Sequence, residues 1–297
     1  MQSASLIVNP SAGRGRAGKH VAEIRSTLLE FGIETDLRQT RGPGDAVDLA
    51  QRAKQDGFEL VIAVGGDGTI YETVNGLARA AGAGVAGTLG IIPIGSGNDF
   101  VKMLDIPPGW QAACRRIAKG GSRRVDLGRV NDRFFVNNVG MGFDAQVGIE
   151  ALKVTWARGK AVYMVALARN MLFSYRTPHV KIEMDGESFS RQITLLTVGN
   201  GRCSGGGFWL TPSAEIDDGL FDVCIGRKMS KIQILALVPY VMKGTHITHS
   251  EVQMARARRI VVTSDEPLPV HADGEIIYTA ATRIETELLP RKLELIG

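Results

Sequence analysis

The strongest pattern of hydrophobic and polar positions in this chain begins at residue 60. The five residues 60–64 are all apolar and run directly into Gly-Gly-Asp-Gly-Thr at 65–69. The apolar residues after this turn recur at helical spacing, at Ile70, Val74, Leu77, Ala78 and Ala81. An unbroken apolar run is typical of a strand buried on both faces of a parallel sheet, whereas the later spacing is that of an amphipathic helix. The pattern therefore predicts a strand, a glycine turn and a helix over residues 60–81.

The same arrangement recurs a short distance further along the chain. A strand pattern at 89–94 leads into Gly-Ser-Gly-Asn-Asp-Phe at 95–100. Ligands of open α/β sheets bind beyond the carboxyl ends of the strands, so two glycine turns there, each with a carboxylate, indicate a binding site. The alternative, two tight turns whose aspartates only cap the backbone, stays open at this point.

The whole first part of the chain alternates between strand and helix patterns. Strand patterns at 6–8 and 33–39 are each followed by a helix pattern, and the two glycine-turn segments come after them. Short strands that alternate with helices are typical of a doubly wound parallel sheet. We therefore predict an α/β domain over residues 1–125.

After about residue 130 the pattern changes to short segments that are rich in β-formers and often alternate between polar and apolar residues. These segments are 134–139, 180–184, 193–198, 221–225, 260–263, 270–272 and 284–288. They predict an antiparallel β-sandwich domain over residues 126–283. Helical patterns interrupt it at about 149–175 and 230–243. The last residues, 284–297, either complete this domain or return to the first one.

Composition and charge narrow the class of protein. The chain has 297 residues, 44% of them hydrophobic and 22% charged, which is a globular composition and enough chain for two domains. No apolar stretch approaches the ~20 residues that span a bilayer, and the N-terminus lacks the parts of a signal peptide. The 3 cysteines are widely separated and form no disulfide framework. We therefore expect a cytoplasmic protein, whose net charge of +4 favours anionic partners.

The turn at 65–69 has the composition of a phosphate site. Its glycines let backbone N–H groups approach a ligand, and the N-terminus of the following helix carries a partial positive charge. Asp67 would repel a phosphate unless a divalent cation lay between them, so we infer a nucleotide held partly through Mg²⁺. Asn9 opens another glycine-rich loop, at 9–16, which either lines this site or only turns the chain into the next helix.

These motifs together resemble the diacylglycerol kinase catalytic domain. The resemblance rests on the turns at 65–69 and 95–100 and on Asn-Pro-Ser-Ala-Gly at 9–13. Three later segments look like the bacterial soluble lipid kinases of that family, namely Val-Asp-Leu-Gly at 125–128, Asp-Asp-Gly-Leu at 217–220 and Asp-Gly-Glu at 273–275. NAD kinases and, more distantly, phosphofructokinases share the glycine-aspartate motif. The resemblance implies an ATP-dependent lipid kinase with its active site in the cleft between an α/β domain and a β-sandwich.

Individual residues are expected to contact the nucleotide. Some are expected because they belong to the glycine turns, and the others because the resemblance implies them. The expected nucleotide-binding residues are Asn9, Thr40, Gly65, Gly66, Asp67, Gly68, Thr69, Ile70, Tyr71, Glu72, Ser96 and Asn98. Two of these positions depart from the family pattern. Ser96 stands where threonine is usual and keeps the hydroxyl, whereas Tyr71 stands where asparagine is frequent.

Two magnesium sites are implied by the resemblance. An acidic cluster of Asp67, Asp99 and Asp126 would hold catalytic Mg²⁺, directly or through water. A second, structural Mg²⁺ would be bound by Asp218 together with the backbone oxygens of Glu215 and Leu220.

Phosphoryl transfer to an alcohol also requires a base that takes the hydroxyl proton. Asp273 and Glu275 offer two carboxylates on either side of Gly274. The same Asp-Gly pair between apolar runs is the usual two-residue hairpin turn, and both interpretations hold if the turn presents the base. The family analogy favours Glu275 as proton acceptor with Asp273 beside it, and Asp67 completes the expected catalytic set.

We expect a kinase for a lipid hydroxyl, with diacylglycerol as the first candidate acceptor. NAD kinase and a non-catalytic protein that binds nucleotide and lipid are the alternatives. Without a spanning segment the protein must reach its lipid by reversible association with an anionic membrane, and the basic residues of 153–160 around Trp156 are candidates for this contact. The arginines at 256–259 lack a nucleic-acid-binding motif, so no nucleic-acid partner is expected. A homodimer is left open.

Overall fold

The computed structural model describes residues 2–104, 106, 108–157 and 160–296. The strands are β1 Gln2–Val8, β2 Ile33–Gln39, β3 Leu60–Gly65, β4 Thr88–Pro93, β5 Ser122–Val130, β6 Arg133–Phe135, β7 Asn138–Gly142, β8 His179–Met184, β9 Glu187–Gly199, β10 Phe221–Arg227, β11 Val252–Ala257, β12 Arg259–Ala272 and β13 Glu275–Ile296. The helices are α1 Ala12–Glu30, α2 Asp45–Gln55, α3 Asp67–Ala81, α4 Trp110–Lys119, α5 Phe143–Leu152, α6 Lys160–Phe173 and α7 Lys231–Lys243. Short 3₁₀ helices occupy Phe100–Met103 and His246–Thr248.

The chain divides into two compact units. Unit 1 consists of Met1–Leu127 and Pro290–Gly297, and unit 2 consists of Gly128–Leu289. Strands β5 and β13 each contribute residues to both units. The segment 284–297, whose place the sequence left open, is therefore divided: residues 284–289 stay with unit 2, and the last eight residues belong with the N-terminal part of the chain.

Unit 1 contains a parallel sheet in the order β2, β1, β3, β4. The end of β13 pairs in parallel beside β4, where Glu294 lies opposite Thr88. Parallel neighbours require helical crossovers, and the apolar faces of α1 and α4 pack on one side of β1 and β3. Alternate strand residues such as Ile7 and Ala63 are also fully buried, so both faces of the sheet are covered.

Glycine sets the closest helix contact in unit 1. Helices α2 and α3 pack against each other at Gly76, where a Cβ atom would lie 2.1 Å from the carbonyl oxygen of Val47. A larger residue at this position would force the two helices apart. Close packing here fixes α3, and with it the glycine turn at its N-terminus.

Unit 2 is built from antiparallel strands. The long strands β9 and β12 each pair with β8 over one half and with β7 over the other half. Strands β10 and β11 extend the β9 side, and β12 continues through a hairpin into β13. Two strands that pass from one layer to the other are typical of a β-sandwich.

The fold class is confirmed, a parallel α/β part followed by an antiparallel β part. The helical pattern at 149–175 corresponds to two helices, since α5 ends at Leu152 and α6 begins at Lys160. All three cysteines are buried and free. Over the described ranges, no helix is long and apolar enough to cross a membrane.

Candidate active site

The two glycine turns of unit 1 lie against each other. Gly66 follows β3 and Gly95 follows β4, and a Cβ atom on Gly95 would lie 2.5 Å from the Cα atom of Gly66. Gly95 therefore has no room for a side chain, and at Gly66 a Cβ atom would be in tight contact with Gly95, at 3.1 Å from its Cα atom. We expected the two turns to lie at the same edge of the sheet, and their backbones are in contact there.

The first turn is also fitted to the loop after β1. A Cβ atom on Gly65 would lie 2.3 Å from Oγ1 of Thr69, so the threonine side chain folds back over this glycine. Asn9 donates from Nδ2 to the same Oγ1 at 3.3 Å. Gly13 has a φ of 58° and approaches the carbonyl oxygen of Ile94, at the start of the second turn. Three loops thus join at the carboxyl end of the sheet.

Asp67 lies at the start of α3, and its carboxylate enters the second turn. Its Oδ1 accepts the N–H of Phe100 at 3.3 Å, and the backbone N–H groups of Asn98 and Asp99 also act on it. Burial, followed by the negative charge of Asp99, raises the pKa of Asp67 to about 6, despite these hydrogen bonds. The protein therefore holds this carboxylate in place without neutralising it.

Asp67 and Asp99 face the same small volume. A Cβ atom on Gly97 would lie 2.9 Å from Oδ2 of Asp67 and 3.8 Å from Oδ2 of Asp99. Lys102 donates to the other oxygen of Asp99, Oδ1, at 2.5 Å. Two carboxylate oxygens and a glycine that leaves space beside them are the elements of a cation site.

The third acid of the expected cluster has a different neighbour. Asp126 on β5 is buried and accepts the backbone N–H of Arg291 at 2.7 Å. Across the part of the chain that the structure describes, no group of three or more His, Cys, Asp or Glu side chains is arranged to hold a metal ion. Among the described residues, the fold thus brings Asp67 and Asp99 together without forming a three-carboxylate centre with Asp126.

The expected nucleotide contacts fall into two groups by burial. Gly66, Asp67, Gly68, Asn9 and Asn98 are partly exposed, and Ser96 is exposed. Gly65, Thr40, Thr69, Ile70 and Tyr71 are buried. The first group has atoms within reach of a ligand, whereas Ile70 and Tyr71 belong to the core behind the turn.

Glu72 has a structural partner. Its two carboxylate oxygens accept the N–H groups of Gly44 at 2.8 Å and Ala46 at 3.1 Å. These groups lie at the N-terminus of α2, where a negative charge is favourable. Asp45, the first residue of α2, accepts the N–H of Arg41 at 2.6 Å.

A cavity of about 440 Å³ opens beside the second turn, and sequence reasoning missed most of its lining. Backbone of Gly95 and Gly97 forms one wall, and the basic residues Arg16 and Lys102 lie around it. His20 and Trp110 close another side, with their rings 5.6 Å apart. Basic side chains at the edge of a glycine turn suit an anionic group. The basic loop at 9–16 was the available signal for this cavity.

In unit 2, Asp273 and Gly274 form the two-residue turn between β12 and β13. Their φ values are 50° and 89°, both in the left-handed region that a type I′ hairpin turn requires, and Ala272 pairs with Glu275 across it. The Asp273 carboxylate accepts the backbone N–H groups of Val136, Asn137 and Asn138, each at 2.9 Å. The hairpin interpretation of this segment is therefore confirmed, and Asp273 fastens the turn to the start of β7.

Glu275 differs from Asp273 in its surroundings. It is exposed, one residue beyond the turn, whereas Asp273 is buried. A proton acceptor must reach its substrate, so exposure favours Glu275 for that task and three backbone donors favour an anchoring task for Asp273.

An arginine lies beside the expected structural metal site of Asp218, Glu215 and Leu220. Asp218 forms an ion pair with Arg256 and accepts the backbone N–H of Leu220 at 3.0 Å. Burial raises the pKa of Asp222 nearby, opposed by the charge of Arg256 and supported by Asp218 and Glu215. Acidic side chains do gather here, but the guanidinium already supplies the positive charge. In this arrangement Arg256 occupies the side of Asp218 that a cation would face, and the structural Mg²⁺ at Asp218, Glu215 and Leu220 stays a prediction.

Comparison with known proteins follows the two-unit division. Residues 3–130 match the diacylglycerol kinase catalytic domain, and residues 137–297 match the YegS C-terminal NAD kinase beta sandwich-like domain. The chain is 34% identical to a diacylglycerol kinase of Bacillus subtilis strain 168, over 93% of this chain and 90% of that protein. It is 32% identical to a diacylglycerol kinase of Staphylococcus carnosus strain TM300, over 92% and 88%.

The fold comparison agrees with the sequence comparison. The crystal structure of a diacylglycerol kinase from Bacillus anthracis strain Sterne superimposes with a TM-score of 0.75 and 26% identity, covering 99% of this chain and 96% of that one. Relatives above 30% identity along nearly the whole chain establish common descent of both units. The chain therefore belongs to the diacylglycerol kinase family, whose members transfer a phosphate group to a hydroxyl acceptor.

Proposed function

We propose that this protein transfers the terminal phosphate of ATP to the hydroxyl of diacylglycerol and forms phosphatidic acid. The observation that carries the proposal is the junction of the two glycine turns around Asp67 and Asp99. The choice of lipid is supported by the relatives named diacylglycerol kinase at 34% and 32% identity.

The phosphates of ATP would meet the partly exposed backbone of the first turn. Gly66 and Gly68 are partly exposed, and α3 begins at the same place. Phosphoryl transfer depends mainly on positioning and charge stabilisation, which backbone donors supply without moving. The basic side chains of Arg16 and Lys102 would add positive charge beside the second turn.

Mg²⁺ is part of this proposal, and Asp67 and Asp99 are the residues that would hold it. Their oxygens share one small volume, and their mutual repulsion is relieved by a divalent cation. Mg²⁺ commonly uses one or two protein carboxylates together with substrate phosphates, so a two-carboxylate site is sufficient. When bound, the ion supplies charge neutralisation for the phosphates.

Glu275 is the proposed base in this reaction. It would accept the proton of the lipid hydroxyl while the oxygen attacks phosphorus, and the rigid type I′ turn would hold it in place. Asp273 would act only as an anchor, because its carboxylate is engaged by the backbone of residues 136–138.

We further propose that unit 2 docks on an anionic membrane through its helices. The outward side of α7 is an apolar stripe, formed by Ile232, Leu235, Ala236, Pro239 and Tyr240. On α6, Leu172 and Phe173 are 70% and 77% exposed. Neither helix contains an aspartate or glutamate, and both contain lysine. Exposed apolar side chains on helices whose own charged residues are all basic suit the surface of an anionic bilayer. Among the described residues of these helices, Arg169 of α6 is the one paired with an acid, Glu150.

The sequence analysis proposed the segment 153–160 around Trp156 for membrane contact, and the helices α6 and α7 are now added to it. Trp156 is 75% exposed, as membrane insertion requires. Lys153 forms an ion pair with Glu150 at 2.6 Å, so its charge is partly neutralised. Arg158 and Gly159 lie outside the described residues. Helix α7 is therefore the better target for a test.

The decisive experiment supplies labelled ATP and Mg²⁺ with diacylglycerol in mixed micelles, and separately with phosphatidylglycerol, ceramide or NAD. We expect phosphatidic acid as the main product, identified by mass spectrometry. Phosphorylation of NAD without any lipid product would overturn the proposal in favour of NAD kinase. Nucleotide binding without turnover of any acceptor would favour a non-catalytic protein.

A further inference from the structure

A buried pair of a histidine and an aspartate lies directly behind the hairpin that carries Glu275. Nε2 of His271 is 3.1 Å from Oδ2 of Asp144, and the two side chains are only 4% and 16% exposed. Charged groups are costly to bury unless they are paired and hydrogen-bonded. The burial of these two polar side chains therefore needs a role that compensates its cost. The site proposed around the glycine turns of unit 1 does not include either residue.

Three strands and a helix build this pair. His271 on β12 lies opposite Gly140 on β7, and Gly140 lies opposite Thr197 on β9. A Cβ atom on Gly140 would lie 2.1 Å from Oδ2 of Asp144 and 2.2 Å from Nε2 of His271. The missing side chain thus makes the space in which the two groups meet. Thr197 donates from Oγ1 to the same Asp144 oxygen at 3.1 Å.

The second nitrogen of His271 contacts the catalytic hairpin. Nδ1 accepts the backbone N–H of Gly274 at 3.3 Å, and Gly274 immediately precedes Glu275. A ring nitrogen that accepts a hydrogen bond carries no proton, so the proton of neutral His271 must be on Nε2, where it faces Asp144. The carboxylate and the turn therefore select the same tautomer.

From this geometry we infer that His271, oriented by Asp144, is a positioning residue that holds the Gly274 peptide and thereby the carboxylate of Glu275. The inference rests on the proposed function, in which Glu275 is the base. Asp273 anchors one end of the turn through residues 136–138, and His271 anchors the peptide on the other side of Asp273. Groups held by such supporting contacts keep the geometry that transfer requires.

Charges around His271 make the contact dependent on pH. Burial lowers the pKa of His271, but the charge and hydrogen bond of Asp144, with a smaller effect of Asp273, raise it above the usual value overall. Cys224 of β10 stays a neutral thiol, because burial and then Asp144 raise its pKa to about 12. Protonation of Nδ1 removes the acceptor for Gly274. Activity should therefore fall on the acid side, and Asp144→Asn should move that fall to lower pH.

Two substitutions separate the contacts of His271. Asparagine places an oxygen near the position of Nδ1 and can still accept from Gly274, whereas glutamine places an amide near Nε2 and reaches only Asp144. For His271→Gln we expect a fall in kcat of about tenfold with an unchanged KM for ATP, since the misplaced group acts on the transfer step. For His271→Asn we expect a kcat within about threefold of the wild type.

Circular dichroism and thermal melting measure the folded fraction of each variant, so that kcat refers to folded enzyme. Equal kcat values for His271→Gln and wild type would overturn the inference, as would equal losses in both variants. Histidine ¹⁵N NMR of the wild-type protein at pH 8 gives an independent test, and a proton on Nδ1 would contradict the assigned tautomer. Absence of lipid phosphorylation by the wild type would instead contradict the proposed function.

Discussion

Asp67 at the start of α3 in unit 1 and Asp273 in the hairpin turn of unit 2 have opposite electrostatic surroundings. Each lies next to glycine, and each accepts backbone N–H groups from a neighbouring segment. Asp67 also faces Asp99, and its pKa is raised to about 6 by burial and by that charge. Asp273 instead lies near the buried His271, on which its charge acts favourably.

The difference separates a carboxylate whose surroundings are favourable, Asp273, from one whose surroundings leave a repulsion in place, Asp67, which is the one proposed to hold Mg²⁺. Backbone donors alone hold a carboxylate in place and make it part of the structure. A second acid beside it creates repulsion that only a proton or a cation relieves. A pair of acids that repel each other in the folded protein is therefore a stronger indication of a functional site than a carboxylate that only accepts backbone hydrogen bonds.

The largest effect is expected for Asp67→Asn. The amide keeps the size of the side chain but removes the charge that would hold Mg²⁺, so kcat should fall by about 10³ or more. Circular dichroism should show an unchanged fold. Asp48→Asn, an exposed aspartate on α2, is the matched control and should keep full activity. Wild-type turnover in Asp67→Asn would remove this carboxylate from the mechanism.

Loss of the proposed base should have the next largest effect. Glu275→Gln is expected to lower kcat by about 10²–10³, because the hydroxyl proton no longer has an acceptor. Melting temperature should stay close to that of the wild type, since the side chain is exposed. Glu266→Gln, an exposed glutamate on β12, serves as the control in the same kinetic assay.

Asp273→Asn should mainly change stability. Its amide group would face backbone donors that now lack a charged acceptor, at a cost of about 2 kcal/mol in the free energy of unfolding. Urea denaturation measures this loss, and the exposed Asp265→Asn provides the comparison. A stable but inactive Asp273→Asn would show that Asp273 acts in the chemistry after all.

The raised pKa of Asp67 predicts how the free energy of unfolding depends on pH. The sign is opposite to that of a carboxylate in an ion pair, whose pKa is lowered by folding. Between the unfolded value of 3.8 and the folded value of about 6, the folded protein binds more protons. Its stability without Mg²⁺ should therefore decrease as pH rises through this range, by about 2 kcal/mol in total. Other carboxylates, such as Asp144 with its lowered pKa, act in the wild type and in Asp67→Asn alike. Denaturant unfolding at pH 4.5 and 7 should therefore show this loss in the wild type relative to Asp67→Asn, and equal pH dependence of the two proteins would contradict it.

Much of unit 1 could be predicted from the sequence, because its signals are local. An apolar run followed by glycines fixes a strand and a turn, and both glycine turns lie where the pattern at 60–99 put them. Partners from distant segments could not be predicted. The N–H groups that Glu72 caps on α2 lie 26 and 28 residues away, and Arg291 lies 165 residues from Asp126.

The unit 2 site shows the same limit more strongly. The Asp-Gly hairpin at 273–274 could be predicted from its local sequence, an Asp-Gly pair between two apolar runs. The pair of His271 with Asp144 could not, because it depends on Gly140 leaving a space between strands β12 and β9. The pairing of Asp218 with Arg256 likewise depends on tertiary contacts, which local patterns do not contain.

The smallest effect is expected at the proposed membrane surface. Here the exposed apolar side chains of unit 2 are compared with those of unit 1. Ile232→Ser with Leu235→Ser removes apolar area from the outward side of α7, where the side chains are 79% and 53% exposed. Affinity for vesicles that contain phosphatidylglycerol should fall by about tenfold, since each buried apolar group contributes on the order of 1 kcal/mol. Leu29→Ser on α1 of unit 1, at 54% exposure, is the matched control and should bind like the wild type.

The basic component of this surface should respond to salt. Attraction to anionic lipid acts over about 10 Å at 0.1 M salt, so added salt should weaken binding of the wild type and of the control alike. Trp156→Ala with Lys153→Glu should give a smaller loss than the α7 variant, because Lys153 is already paired with Glu150. Vesicle sedimentation measures all of these affinities. Equal binding to neutral and anionic vesicles at every salt concentration would exclude electrostatic recruitment, and an unchanged affinity of the α7 variant would exclude that helix from the membrane contact.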